Sequence, residues 1–594
     1  MDKYLKIIFI SLIVSSCSFL DEKPSTGVVA TNVYATEAGL ESAIYGIYGQ
    51  FNSAASLNGK QIEFLQSASL CSHWGKKRST DQWLSCLKMT LYRNSSDNSS
   101  YYEWLYKIVS CCNALIEGVE NSPVEPSYKT QILAEAKFIR GVTYFYLVRM
   151  YGDVPLQLSP VRNFDESCIE RTKYTDVYIQ ILEDLSFAEE HMRTTAEQKT
   201  MTGSNNRPGK YAATSFKAAV YMQIASILYD PDHQFFDNTK EERRPDFTSI
   251  GITDEVKAWE MVEKCCNKVI ESGEYSLATD YASLFRWKEP EDFNLSERIF
   301  VLNSTSASNQ YNSIAQLTLP QCPEGSINFE DNNKNSNRVT PDRYVHQIWT
   351  KTHGGILDSG RSDKFENVWV KCKDPRMDVS YFHTSYINQL DHKDVVTKLY
   401  PSDGCVGTNA TKLYFKKYLD PLYNGGPSNA DYYVMRYANI FLMRAESFAS
   451  RSGAKGDDMW DKAINDIEII HQRARGELNP SAVQSDYPNW ASSSFDSPSS
   501  LIKGIIWERI FELGGEGNEY FDTHRRGSAF MSEFIASPLK SFLSEKEQTR
   551  SKADFFPQEI ETDPELLKKS VVLEFPIDEL QRNTKLQQND FSWE

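Results

Sequence analysis

The sequence predicts an all-α protein built from paired helices in TPR-like repeats. Phe138, Val142 and Phe145 follow one another at positions i, i+4 and i+7, which places them on one helix face. Ala136 and Gly141 are small enough to let another helix approach closely. The same spacing recurs at Ala212, Phe216, Ala219, Val220 and Ile224; at Ala438, Phe441, Leu442 and Ala445; and at Ala463, Ile464, Ile467 and Ile470. Such helices cannot bury their faces alone, and the lack of a strict period of about 34 residues indicates degenerate repeats.

Long polar stretches rich in Asn, Ser, Gly and Pro separate the helical segments. They cover residues 93–100, 200–208, 303–337 and 480–500. Loops of this length in a compact protein usually carry function or are disordered. The aromatic residues within them are therefore expected outside the hydrophobic core; these are Tyr311, Tyr487 and Trp490.

The chain has 594 residues, which exceeds the size at which a single core stops growing, so two lobes are expected. We place the N-terminal lobe at residues 17–295 and the C-terminal lobe at residues 296–594. The net charge of −17 argues against binding to nucleic acid or to anionic lipid headgroups. The 32 Tyr and 11 Trp residues supply many flat amphipathic surfaces for other ligands.

The first 16 residues are typical of a secretion signal. A short charged region precedes an apolar run at residues 7–14, which is too short to span a bilayer. The sequence Val14-Ser15-Ser16-Cys17 resembles a bacterial lipobox, in which the Cys thiol is acylated and becomes the new N-terminus. We therefore predict a signal peptide at residues 1–16 and a lipid anchor on Cys17. The alternative is a plain signal peptide followed by an incidental Cys.

Ten further cysteines remain, and their spacing is not that of a disulfide framework. No CxxC motif is present, so neither a zinc ribbon nor a thioredoxin-like redox centre is supported. Cys111-Cys112 and Cys265-Cys266 fall in predicted helices, where one member of each pair should face the core. Buried free thiols are the expectation, and one or two disulfides are the alternative.

Glu508 and Glu512 are the pair of carboxylates that most resembles a hydrolytic site. They lie at i and i+4 of a predicted helix, although hydrolases usually place their two carboxyl groups on separate elements. A structural role in salt bridges is the stronger interpretation, and no catalytic residue is expected.

No metal or cofactor site is expected from motifs either. The nine His residues form no HExxH motif, and His346 and His353 lack a clear third ligand. The glycine-rich sequence at residues 513–517 lacks the preceding strand and the following Lys of a phosphate loop. It is interpreted as a helix stop.

Several sequence blocks, in order along nearly the whole chain, resemble hallmark segments of one known family. They are residues 17–24, 135–141, 151–156, 436–446, 507–513, 519–522, 525–527 and 575–580, with Asn583, Gln588 and Asn589. On these blocks the chain is similar to the SusD/RagB family of outer-membrane nutrient-uptake (glycan-binding) lipoproteins. One departure is Ser69–Trp74, where many members carry an Asp-rich stretch.

The resemblance implies a function and a fold. It implies a surface-exposed lipoprotein of the outer membrane, without catalytic activity, that binds glycan and delivers it to a SusC-like TonB-dependent transporter. It also implies a helical scaffold with long irregular loops packed on it that carry the ligand surface. The alternative is a membrane-tethered TPR-like scaffold whose ligand is a protein or peptide.

Glycan capture requires aromatic faces for stacking on sugar rings, surrounded by polar groups for their hydroxyls. Trp83 and Tyr311 lie about where family members carry binding aromatic residues, so the resemblance implies that they stack on sugar. Asp81 and Asn94 are the expected hydrogen-bonding partners, and Trp74 is a further aromatic candidate. The alternative for each aromatic is ordinary burial, and for Asp81 and Asn94 a solvated or turn-forming role.

Overall fold

Helices form most of the described chain in a computed structural model, as the apolar periodicity predicts. The structure describes residues 33–51, 57–66, 68–74, 96–202, 207–229, 244–285, 296–304, 314–318, 339–354, 356–357, 370–382, 414–418, 430–481, 484–485, 487, 494–547 and 560–588.

The N-terminal half contains eight α-helices and one short strand among the described residues. The helices are α1 (Glu37–Phe51), α2 (Ser96–Glu120), α3 (Pro126–Tyr151), α4 (Phe164–Ser167), α5 (Tyr174–His191), α6 (Thr195–Thr202), α7 (Lys210–Tyr229) and α8 (Glu255–Glu271). A π-helical segment at Leu57–Gln66 precedes strand β1 (Ser72–Trp74), and short 3₁₀ turns lie at Thr248–Ile250 and Tyr281–Leu284.

The C-terminal half mixes helices with short strands. The strands are β2 (Arg298–Leu302), β3 (Val339–Pro341), β4 (Ile356–Leu357), β5 (Val370–Lys371), β6 (Tyr381–Phe382), β7 (Tyr414–Phe415) and β8 (Tyr432–Arg436). The helices are α9 (Ile314–Thr318), α10 (Arg343–Thr352), α11 (Pro375–Ser380), α12 (Tyr437–Arg451), α13 (Asp458–Ala474), α14 (Pro498–Leu513), α15 (Glu519–His524), α16 (Ser528–Met531), α17 (Ser537–Glu547), α18 (Pro564–Val571) and α19 (Ile577–Arg582), with a π-helical turn at Ser532–Ala536.

Long helices stack on one another in chain order. The packing runs α2, α3, α5, α7, α8 and α12, and α12 also packs against α13 and α14. Phe138, Val142 and Phe145 are buried on α3, and the apolar faces predicted for α7 and α12 are buried as well. The all-α prediction is therefore confirmed. This scaffold, α2 to α8 with α12, is called the helical stack below.

Helix α3 shows how the local sequence sets these elements. The carboxylate of Glu125 accepts hydrogen bonds from the backbone N–H groups of Ser127 and Tyr128, and Pro126 takes the first helical position, where no N–H is needed. In the middle of α3, a Cβ added to Gly141 would lie 3.3 Å from Leu185 of α5. Glycine therefore allows the close approach of α3 and α5 that its small size predicts.

Strand β2, at the start of the C-terminal half, packs against the N-terminal half as well as pairing within its own. β2 pairs with β8, and Phe300 of β2 makes ring contacts with Phe51, Phe138 and Phe216 of the N-terminal half. One large hydrophobic cluster contains buried residues from Leu40 to Leu586 and so includes both halves, and a small separate cluster lies around Tyr281 and Tyr433. The division into lobes at residues 295 and 296 remains a prediction.

The described cysteines carry free thiols, as expected. They are Cys71, Cys111, Cys112, Cys168, Cys265, Cys266 and Cys372. Cys112 is buried and Cys111 only partly so, which agrees with one member of that pair facing the core. Cys265 and Cys266 are both buried, because α8 packs against α7 and α12. Burial raises the pKa of the Cys265 and Cys266 thiols and keeps them protonated.

No helix in the described part of the chain combines the length and apolar character needed to cross a membrane.

Candidate ligand-binding face

Most of the predicted ligand-binding residues lie outside the described residues. These are Trp83, Tyr311, Asp81 and Asn94, and the predicted lipid attachment site Cys17 lies outside them as well. Trp74 belongs to strand β1, where the structure gives its backbone position. The ligand-binding roles of these residues remain predictions, and the described structure shows the frame that holds the ends of their segments.

A two-stranded sheet forms the centre of that frame. Ser72, His73 and Trp74 of β1 pair antiparallel with Pro341, Thr340 and Val339 of β3. The backbone N–H of Asp342 donates a 2.8 Å hydrogen bond to the carbonyl of Cys71 and extends the pairing. This fixes the point at which the chain leaves Trp74 for the segment that contains Asp81 and Trp83.

Helix α9 brings the second segment to the same sheet. It begins at Ile314, three positions after Tyr311, and contacts β3, β7 and the π-helical segment. Ile314 and Thr318 are buried, and the Thr318 hydroxyl donates to the Ile314 carbonyl. The described ends of the segments that carry Trp83 and Tyr311 therefore lie on one small structural unit, although the two residues are far apart in sequence.

The turn before β1 is held in an uncommon backbone conformation. Leu70 has a φ of 60°, in the left-handed region that non-glycine residues rarely adopt. The Ser69 hydroxyl donates to the Gln66 carbonyl at 2.7 Å and accepts from the backbone N–H of Cys71 at 3.1 Å. The segment Ser69–Trp74, which departs from the Asp-rich pattern of many family members, thus forms a buried turn and a strand.

A buried carboxyl group lies beneath this turn. Glu519, at the start of α15, accepts hydrogen bonds from the backbone N–H of Gly515 and from the Gln66 side chain. Gln66 also donates to the Ser72 hydroxyl at 3.2 Å, which links α15 to β1. Burial raises the pKa of Glu519 to about 7, against the opposing effect of its hydrogen bonds.

Glu508 and Glu512 belong to a buried network of ion pairs, which we call the arginine–carboxylate cluster. Its members are Glu297, Asp374, Arg376, Lys417, Arg436, Arg473, Glu508, Glu512 and Glu516. Arg436 Nη1 lies 2.7 Å from Glu297 Oε1 and 2.6 Å from Glu512 Oε1. Arg376 Nη1 lies 2.9 Å from Glu512 Oε2 and also pairs with Glu508.

Burial disfavours the charged form of both glutamates, but the neighbouring arginines more than compensate. The pKa of Glu508 is held well below its usual range, chiefly by Arg376. The pKa of Glu512 is lowered as well, by Arg473, Arg436 and Arg376. Both side chains are ionised and fully enclosed, so the interpretation as structural salt bridges is correct. Their partners lie on other elements, whereas the i, i+4 spacing suggested pairing along one helix.

The glycine-rich sequence after α14 is a helix stop, as predicted. Helix α14 ends at Leu513, and Gly515 and Gly517 both have a φ of 79°. A Cβ on Gly515 would lie 2.9 Å from Phe415 of β7. The close turn directs Glu516 toward Arg436 and Lys417, which lie 2.8 Å from its two carboxylate oxygens.

The expectation that Tyr487 lies outside the core is wrong. Its side chain is 2% exposed, and its hydroxyl donates to the carbonyl of His471 at 3.2 Å. The Tyr487 ring packs beside His353 and His471, near the end of α13. Trp490 lies outside the described residues.

Sequence reasoning also missed a convergence of two histidines and a glutamate. His346 lies in the first half of α10 and His353 directly follows the helix, but the neighbours of His353 are His471 of α13 and Glu508 of α14. More than a hundred residues lie between His353 and Glu508 in the sequence, and His471 lies between the two. No spacing rule brings them together, and the pairing becomes visible only in the fold.

Comparison with known proteins supports the resemblance. The profile described as "SusD family" matches residues 296–593, and the profile described as "Starch-binding associating with outer membrane" matches residues 18–222. The chain is 23% identical over 539 residues to SusD-like protein P2 of Formosa agariphila, covering 88% of this chain and 91% of the relative.

Solved structures show the same fold. A SusD homologue from Bacteroides thetaiotaomicron aligns with a TM-score of 0.67 and 17% identity over 96% of this chain and 99% of the homologue. A SusD-like carbohydrate-binding protein from Bacteroides fragilis aligns with a TM-score of 0.68 and 16% identity over 93% of this chain and all of that structure. The family consists of non-catalytic binding proteins associated with the outer membrane, so the prediction of no enzymatic activity is confirmed. By the profile match across its C-terminal half, the chain belongs to the SusD family.

Proposed function

We propose that this protein is a surface-exposed, lipid-anchored protein that binds oligosaccharide or polysaccharide and delivers it to a SusC-like TonB-dependent outer-membrane transporter. Membership of the SusD family carries the proposal. A laminarin-binding SusD-like protein, with a TM-score of 0.58 and 18% identity over 93% of this chain and 98% of that structure, adds support for a glycan ligand.

We infer that Trp83 and Tyr311 contribute to one binding face, with Trp74, Asp81 and Asn94 around them. The support is the frame of β1, β3 and α9. Tyr311 precedes Ile314 by three positions, so the covalent chain keeps their Cα atoms within about 11 Å. Trp83 follows Trp74 by nine positions and is limited to about 30 Å from it. Both aromatic residues are therefore within reach of the same face.

Titration calorimetry on the chain lacking residues 1–17 tests this face. Laminarin and xylogluco-oligosaccharides are the probes, because one structurally similar SusD-like protein is described as laminarin-binding and another similar structure was solved with xylogluco-oligosaccharide. A stacking contact is worth on the order of 1 kcal/mol, so Trp83→Ala and Tyr311→Ala should each weaken binding roughly five- to tenfold. Melting temperatures should stay near that of the unchanged chain, and chromatography should recover the glycan intact.

Tyr229→Ala is the matched control for these substitutions. Tyr229 is an exposed aromatic residue at the end of α7 on the helical stack. Its replacement should leave glycan affinity unchanged. A large loss of thermal stability with unchanged affinity in Trp83→Ala would instead place Trp83 in the core and contradict the proposed face.

Cys17→Ala tests the anchor. Two or more acyl chains give stable membrane attachment, so the unchanged protein should partition into detergent and be labelled on intact cells. The variant should be released into the soluble fraction. Wild-type protein found wholly soluble in the periplasm would contradict the lipid anchor while leaving glycan binding untouched.

A further inference from the structure

We propose that His353, His471 and Glu508 form a buried structural zinc site in the C-terminal half. Glu508 Oε2 lies 3.1 Å from His471 Nε2 and 3.4 Å from His353 Nε2. One donor atom from each residue lies within 4.8 Å of the other two, and all three side chains are fully enclosed. The proposal is independent of glycan binding, because none of these residues belongs to the proposed face.

The distances suit a tetrahedral ion. Bonds of about 2.0–2.1 Å from zinc to nitrogen or oxygen place neighbouring ligand atoms about 3.3 Å apart. The distances from Glu508 Oε2 to the Nε2 atoms of His353 and His471 are close to this ligand–ligand distance. Two imidazoles and one carboxylate are also a donor set that zinc takes in proteins. A further carboxylate oxygen, Asp374 Oδ2, lies 3.9 Å from His353 Nε2.

The ring of His353 is held on one side by its neighbour Thr352. The Thr352 hydroxyl lies 2.8 Å from His353 Nδ1, 2.9 Å from the carbonyl of Ile348 and 3.1 Å from that of Trp349. These contacts tie the imidazole to the last turn of α10.

On the opposite side of the ring, His353 Nε2 faces the carboxylate of Glu508 at 3.4 Å. A zinc ion held there would take Nε2 as a ligand, and Thr352 would orient the ring through its outer nitrogen, as partners of metal-binding histidines commonly do.

The surrounding charge also accommodates a cation. The arginine–carboxylate cluster contains five carboxyl groups and four cationic groups, an excess of one carboxyl. A buried cation is disfavoured unless compensating negative charge lies close by. The excess of one carboxyl, in a count that already includes the ligand Glu508, provides part of this compensation.

The burial of the site determines how it would act. All ligand atoms are enclosed, so zinc enters while the chain folds and no coordination position faces solvent. The ion would connect the end of α10, the end of α13 and the middle of α14. The complete enclosure supports a structural role, because catalytic zinc with two His and one Glu ligand keeps its fourth position open to water or substrate.

Metal analysis of protein produced without a polyhistidine tag tests the site. Cells are grown with added zinc, and the purified chain is dialysed against a chelator before elemental analysis. We expect about one zinc ion per chain, and a roughly tenfold lower content in His353→Ala and His471→Ala. His346→Ala, a buried histidine on the same helix outside the site, is the control and should retain the ion.

A second measurement covers the case in which the alanine variants do not fold. The unchanged chain is refolded with Co²⁺ in place of zinc, and tetrahedral coordination should give strong visible absorption bands. Absence of both zinc and the cobalt spectrum in the unchanged chain would overturn the proposal. Equal metal content in the unchanged chain and in the variants at His353, His471 and His346 would also overturn the proposal, since the ion would then lie elsewhere.

Discussion

The helical stack and the arginine–carboxylate cluster are held together in opposite ways. In the stack, each helix packs mainly on neighbours in the chain through apolar faces, as Phe145 of α3 does against Tyr178 of α5. In the cluster, chain segments between Glu297 and Glu516 are joined by buried ion pairs between their side chains. Regular local sequence is sufficient to build a scaffold, whereas joining distant irregular segments here depends on buried charge.

The energetic consequences of the two arrangements also differ. Apolar burial contributes in proportion to area, so the stack loses stability gradually as side chains are shortened. A buried ion pair gains little over well-packed apolar residues, because desolvation offsets the attraction, but loss of one partner leaves a costly unpaired charge. The cluster should therefore be more sensitive to single substitutions than the stack.

Arg436→Met should have the largest effect. It leaves Glu297, Glu512 and Glu516 without a shared cation in an enclosed site, so the free energy of unfolding should fall by about 3–5 kcal/mol. Urea denaturation at neutral pH measures the change. Arg162→Met is the matched control: its pair with Glu117 is 59% and 42% exposed, and less than about 1 kcal/mol should be lost. Equal losses of stability in the two variants would contradict the expected difference between buried and exposed ion pairs.

Glu519→Gln sharpens the comparison, because Glu519 is a buried carboxyl whose pKa is raised from 4.5 to about 7. Between these values the unfolded chain has lost the proton while the folded chain keeps it. The free energy of unfolding of the wild type therefore falls as pH rises through this window, by up to about 3 kcal/mol.

The Gln variant cannot ionise, so it should gain stability relative to the wild type between pH 5 and pH 8. Denaturation curves at both pH values measure this gain. Exposed Glu103→Gln serves as control and should show no comparable pH-dependent difference. A constant difference between Glu519→Gln and the wild type at both pH values would contradict the raised pKa.

Val142→Ala tests the stack. Removal of two buried methyl groups from α3 should cost about 2 kcal/mol, with α2, α5 and α7 able to relax only partly around the cavity. Val161→Ala, an exposed position, should change the free energy of unfolding by no more than about 0.5 kcal/mol. A loss at Val142 as large as that in Arg436→Met would remove the proposed difference in sensitivity.

The smallest effect is expected at a helix end. Asp254 accepts a 2.9 Å hydrogen bond from the backbone N–H of Lys257 at the start of α8. Asp254→Ala should cost about 1 kcal/mol, and Asp254→Asn should retain most of the stability. Thermal melts of the two variants distinguish loss of the cap from loss of charge.

The sequence predicts the stack well because its signal is periodic and local. The face of Phe138, Val142 and Phe145 is buried as expected. The cluster has no such signal: the spacing of Glu508 and Glu512 marks one helix face, but Arg376 lies 132 positions before Glu508. The burial of Tyr487 is not predictable in the same way, because polar neighbours indicate a loop without showing what that residue packs on.

The candidate binding face shows the same limit. The resemblance names Trp83 and Tyr311, and no periodicity in their segments fixes where the side chains lie. What the fold adds is the common frame at β1, β3 and α9, which depends on strand pairing between residues 72–74 and 339–341. Such long-range pairing is set by the whole chain and cannot be inferred from either segment alone.

The pairing of β2 with β8 has a consequence for the time course of synthesis. Phe300 completes the contacts among Phe51, Phe138 and Phe216, but its strand is paired only once Arg436 has been made. At about 5–20 residues per second, the ribosome needs roughly 10–45 s to travel from Phe216 to Arg436. During that interval Phe51, Phe138 and Phe216 lack the paired strand that holds Phe300 against them. The growing chain therefore cannot reach its final compact state before Arg436 has been made.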